Sequence, residues 1–71
     1  MSAKRIDARG LSCPQPVVLT DQAIAAGNTD LEILVDNEVA RENVMRLASK
    51  RGLAAETRPE GGDILIVTAK S

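Results

Sequence analysis

Cys13 is the single cysteine of a 71-residue chain. It sits in the stretch Arg9-Gly10-Leu11-Ser12-Cys13-Pro14-Gln15-Pro16. Thiolate is the nucleophilic form of cysteine, and the local electrostatics decide how much of it exists. The flanks describe a strand ending, a glycine turn and a helix beginning at or just after Cys13. Proline suits a first helical turn, because its missing N–H would have had no intrahelical partner there. Ser12 and Gln15 have the S-x-x-Q spacing of a capping box. Alternatively Cys13 is the N-cap and Pro14 the first helical residue. Both registers put the sulfur among free N–H groups at the positive end of the helix dipole, which favours thiolate. Cys13 is therefore the candidate reacting residue. Gly10, Leu11, Ser12, Pro14, Gln15 and Pro16 form the scaffold of the site.

The residue types that are missing narrow the chemistry. The chain has no His, and its one Cys can form neither an internal disulfide nor a C-x-x-C redox pair. A structural zinc site has almost no ligands to draw on, and no metal or cofactor is expected. A Cys-His or Ser-His dyad is excluded, and ordinary hydrolase chemistry with it. No Phe, Tyr or Trp is available as a stacking platform for bases, and the formal net charge is −1, so direct nucleic-acid binding is not expected. A lone thiol points to a reducing compartment, with the cytoplasm as default. There is no apolar run of membrane-spanning length and no secretory signal pattern.

The elements that must position Cys13 follow from periodicity. Lys4 to Arg9 alternates charged and apolar residues, with Ile6 and Ala8 on one face of a half-buried strand. The charges of Lys4, Arg5 and Arg9 suit an edge or a solvated face. Pro14 to Ala26 reads as a helix with Val17, Thr20 and Ile24 on one face. Val18 and Leu19 broaden its apolar surface, so spacing alone leaves the buried face open. Gly27-Asn28 is a left-handed cap. Leu31 to Val35 is a strand with Leu31, Ile33 and Val35 on one face. Asp36-Asn37 offers a cap for a second helix, whose Ala40, Val44, Leu47 and Ala48 form an amphipathic stripe that Gly52 closes. Leu53 to Arg58 is a third strand, Pro59 to Asp63 a turn, and Ile64 to Ala69 an interior fourth strand, apolar on both faces. The result is an α/β chain, an α+β two-layer sandwich in the order β-α-β-α-β-β. Its four-stranded mixed sheet carries both helices on one face. Residues 1–71 read as one small domain with an aliphatic core. A chain this short buries only roughly 60% of its unfolded surface, so a partner or dimer would help it.

Residues 6–18, I-D-A-R-G-L-S-C-P-Q-P-V-V, resemble the signature of the TusA/SirA-like sulfur-carrier family, C-P-x-P after a D-x-x-G-L turn. The strand and helix order is similar to that family's fold over the whole chain. Residues 35–44, V-D-N-E-V-A-R-E-N-V, look more like the YedF-type subgroup linked to selenium metabolism. The resemblance implies that Cys13 carries sulfur as a covalent persulfide. It implies a protein donor, a cysteine desulfurase or a rhodanese-like protein, and a protein acceptor. It also implies a carrier more than a turnover enzyme. Relatives that serve tRNA thiolation have basic residues on the helix after the cysteine. Here that helix has no Lys or Arg up to Ala26, and docking of that kind does not carry over.

A carrier needs a sulfur that accepts a sulfane atom and yields it to another protein's thiolate. Neither step asks for a base on the carrier. A selenium-handling role would use the same thiol. A reading from a different class is a non-catalytic regulatory or interaction domain. Arg9 stands as a possible contact to substrate or partner, with a solvated strand-end charge as the plainer reading. Arg41, Arg46, Lys50 and Arg51 would dock an acidic partner or simply form the exposed face of the second helix.

Overall fold

The computed structural model describes residues 4–12 and 14–70. Its elements are β1 (Lys4–Asp7), α1 (Gln15–Ala25), β2 (Leu31–Val35), α2 (Glu38–Lys50), β3 (Leu53–Glu60) and β4 (Asp63–Lys70). The expected order and the two-layer sandwich are present. The sheet order is β1-β2-β4-β3. β1 runs parallel to β2, and β4 runs antiparallel to both β2 and β3. The sheet is therefore mixed, and β4 is interior as its apolar run requires.

Alternation along β2 turns Leu31, Ile33 and Val35 toward the helices, where none of the three is exposed. They form one cluster with Ile66 of β4, Ala23 of α1, and Ala40 and Val44 of α2. Packing against the sheet selects the buried face of α1. Pro16, Thr20 and Ala23 are its buried positions, with Val17 and Ile24 partly buried and Val18 in solvent. Both helix ends read as glycine or Asn caps behave as such. Gly27 has φ +98°, and the N–H groups of Gly27 and Asn28 donate to the carbonyls of Ile24 and Ala23, the two bonds of a Schellman motif. Asn37 is the N-cap of α2, its side chain accepting from the Ala40 N–H at 2.8 Å.

The opposite face of the sheet is not bare. Leu34 and Leu65 face each other across β2 and β4 and are both buried, in a row that Asp7 and Arg58 complete. The neighbouring row carries Arg5, Glu32, Val67 and Glu56. Arg5 pairs with Glu32 and with Glu60, and Arg58 with Glu56. Ion pairs thus clothe the two leucines with long aliphatic stems as well as charge.

Two strand ends differ from expectation by two residues, and the ends of α1 and β4 by one. β1 ends at Asp7, although the Ala8 N–H still donates to the Leu34 carbonyl. β3 runs through Pro59 to Glu60, and only Gly61-Gly62 turns. Both glycines have positive φ, +56° and +88°, which is what a two-residue I′ hairpin demands. Pro59 is tolerated because β3 is an edge strand, where a missing N–H costs no ladder bond.

One hydroxyl ties strand entry together. Thr68 Oγ1 accepts from the Leu31 N–H and donates to the Thr29 carbonyl, each at 3.0 Å, in a buried position. Thr20 Oγ1 donates to the Pro16 carbonyl, which already belongs to the ladder of α1. Thr68→Val is therefore expected to cost about 1–3 kcal/mol, because it strands two backbone groups, while Thr20→Val stays within about 1 kcal/mol. Urea unfolding of the two variants measures both; equal costs would contradict this assignment.

Candidate functional site

The turn between β1 and α1 is fixed from outside. Gly10 has φ +74°, a conformation that suits glycine. Its N–H donates to the Asp36 carboxylate at 2.8 Å. Asn37 Nδ2 donates to the other oxygen of Asp36 at 3.0 Å. These two bonds hold the Asp36 carboxyl below its ordinary pKa, the Gly10 bond contributing most. Of the Asp36-Asn37 pair, then, only Asn37 caps α2. Asp36 reaches back to the other connection and clamps it. From sequence the whole pair reads as a cap, since nothing local links Asp36 to a glycine 26 residues earlier.

The start of α1 differs from both registers expected. The N-cap is Pro14, with no side-chain capping bond, and Pro16 is in the first turn. The Gln15 N–H donates to the backbone carbonyl of Ser12 at 2.8 Å. A capping box would need that same N–H for the Ser12 hydroxyl, and the carbonyl has taken it. Pro14 and Pro16 have no N–H to offer. The helix end therefore presents fewer free amides than the sequence reading placed there. The Val18 N–H opens the helical ladder by donating to Pro14 at 3.0 Å.

Cys13 itself lies outside the described residues. Its neighbours do not: Ser12, Pro14 and Gln15 are exposed, while Pro16 is buried and anchors the turn. Leu11 is 37% exposed. It lines a small cleft with Pro14, Pro16 and Val17 on one side and Val39 and Ala40 of α2 on the other. The structure thus brings Gly10, Leu11, Ser12, Pro14 and Pro16 to one edge of the molecule, beside the start of α2.

Arg9 is occupied. Its guanidinium donates to both carboxylate oxygens of Asp7, at 3.0 and 2.9 Å, and to Asp63 at 3.3 Å. The Arg9 hydrogen bonds hold the Asp7 carboxyl down to about 2. Asp7 and Asp63 in turn raise the Arg9 pKa. Arg9 braces the root of the turn against β4 and has little freedom to seek a ligand. On α2, Arg41 pairs with Glu38 at 2.7 Å, and Arg51, just past the helix end, with Asp21 of α1 at 2.6 Å. Half of the basic set proposed for docking is thereby engaged within the molecule. Among the described residues, no cluster of His, Cys, Asp and Glu has the geometry of a metal site. No helix among them is long and apolar enough to cross a membrane.

Two variants separate the clamp from the cap. Asn37→Ala should cost about 1 kcal/mol of stability through loss of the α2 cap. Asp36→Ala should leave the melting temperature nearly unchanged but speed hydrogen exchange at the Gly10 amide. The acid limb follows from Asp7. Its folded pKa lies below the ordinary 3.8, so its contribution is whole above pH 4 and is lost as pH falls toward 2. Asp7→Asn should flatten the stability profile in that window, read by thermal melts across pH; an unchanged acid slope would contradict the Arg9 pairing.

The family model described as Sulfurtransferase TusA matches residues 4–70. The crystal structure of a SirA-like protein from Desulfitobacterium hafniense superposes with a TM-score of 0.81 at 32% identity, covering 94% of this chain and 97% of that one. Among curated proteins, no sequence matches the chain.

Proposed function

The chain belongs to the TusA family, whose members serve a sulfur-carrier, sulfurtransferase-type role between proteins, and we propose from that premise that Cys13 is the atom-carrying residue. In this reading the Cys13 thiolate attacks the outer sulfur of a donor protein's persulfide. A new S–S bond forms to Cys13, the donor's S–S bond breaks, and the donor cysteine leaves as thiolate. The terminal proton stays on the transferred sulfur. In the second step an acceptor thiolate attacks that outer sulfur, and the Cys13 thiolate departs. Each step conserves charge and electrons, so neither calls for an oxidant, a reductant or a cofactor.

The observation that supports this reading is the fixed turn on either side of the chain's one cysteine in sequence. In sequence Cys13 stands between Ser12 and Pro14, both exposed, and just ahead of α1. The turn before it is clamped by Asp36, and the helix after it is anchored by the buried Pro16. A rigid, outward turn suits a group that must meet two different proteins. A single thiol also cannot discharge its persulfide as an internal disulfide. The donor is a cysteine desulfurase or a rhodanese-like protein, and the setting is a reducing one such as the cytoplasm. A selenium donor would meet the same nucleophile.

Incubation with a cysteine desulfurase and cysteine, or with polysulfide, should add one sulfur mass to the intact protein. Reductant should remove it, and Cys13→Ser should abolish it. A protein that gains no mass from any sulfur donor is not a carrier, and a gain of selenium alone from a donor protein bearing a selenosulfide (S–SeH) would transfer the role to that element.

A further inference from the structure

A groove runs along the α1–α2 face. At one end it is the cleft between Leu11 and Val39. It continues past Pro14 and Val17 into a second depression, lined by Leu47 and by Arg46 and Lys50. Pro14, Val17 and Asn43 line both parts, so the two are continuous. Its ends differ in chemistry. Val39 is 60% exposed and Leu11 37%, an apolar surface open to solvent. At the other end Arg46 and Lys50 stand one helical turn apart on the same face of α2. Neither has an ion pair among the described residues, whereas Arg5, Arg9, Arg41, Arg51 and Arg58 each do. Pro14, the residue after Cys13, lies between the two ends.

Resting on the carrier reading, we propose that this groove docks the segment of a partner protein that bears its sulfur-exchanging cysteine. The segment carries a negative charge on one side of that cysteine and an apolar side chain on the other. From Val39 to Lys50, α2 rises roughly 16 Å, the reach of about five residues of extended chain. The apolar end supplies buried area, and the cationic end sets direction, since a reversed segment would lay carboxylates against Leu11 and Val39 and leave both cations unmatched. A nucleic-acid strand fits less well, because the floor is aliphatic and the chain has no aromatic side chain to stack on.

The test uses isotope-labelled full chain and two synthetic seven-residue peptides. One has two leucines, a central serine in place of cysteine, and two glutamates; in the other, lysines replace the glutamates. The acidic peptide should cause saturable amide shifts at Val39, Asn43, Leu47 and Lys50. Binding should weaken roughly tenfold for the lysine peptide and for the Arg46→Gln, Lys50→Gln double variant, and should weaken with added salt. Both substitutions are at exposed positions, and unchanged shifts in the sheet would verify the fold. Absence of groove shifts up to about 5 mM peptide, a millimolar limit of detection, would overturn the proposal, as would equal binding of both peptides. The two readings fail separately. Sulfur loading of Cys13 with a silent groove removes the docking site alone, whereas a responsive groove beside an unreactive Cys13 removes the carrier.

Discussion

A carboxylate at the end of one strand holds the loop that leaves its neighbour. Asp36 follows β2, Gly10 follows β1, and the bond between them closes the edge of the sheet where both helices begin. Parallel strands joined through a helix end side by side, so their outgoing loops are neighbours by topology. The Asp36–Gly10 bond converts that adjacency into a fixed shape. Without it the turn before Cys13 would rest on a glycine alone, the residue that restrains a backbone least. With it, Leu11 faces Val39 across the cleft, and Pro14 and Pro16 stand at the start of α1 beside α2.

Charge is distributed unevenly between the two layers. On the helix-free face of the sheet, Arg5, Arg9 and Arg58 are matched by Glu32, Glu60, Asp7, Asp63 and Glu56. Each pair is exposed and contributes little to stability by itself. Together they neutralise that face and cover Leu34 and Leu65. The second layer is less evenly balanced, since Arg46 and Lys50 remain beside an aliphatic groove. An acidic chain can thus present a locally cationic surface, because most of its anions are paired elsewhere.

The helix start shows how one backbone atom can decide a site's electrostatics. Two prolines shape the turn after Cys13 but remove two of the donors that a helix end ordinarily offers. The Ser12 carbonyl consumes a third. Rigidity and amide supply therefore trade against each other here. A carrier that must be both presented and released gains more from a fixed turn than from a strongly stabilised thiolate, since a thiolate of very low pKa is also a weaker nucleophile.

What could be read from the residues alone was whatever depends on near neighbours. The run Leu31 to Val35, the stripe Ala40-Val44-Ala48, the Gly27 cap and the Asn37 cap each involve atoms a few residues apart, and composition already excluded chemistry that needs His or paired thiols. The C-P-x-P stretch pointed to the family for the same local reason. Tertiary structure decided the rest. Pro59 belongs to a strand because β3 is an edge, which is a property of the assembled sheet. Asp36 clamps instead of capping because β1 and β2 lie side by side. Arg9 is engaged because Asp63, 54 residues later, closes on it. Such partners are chosen by which segments meet in space, and sequence spacing carries no record of that meeting.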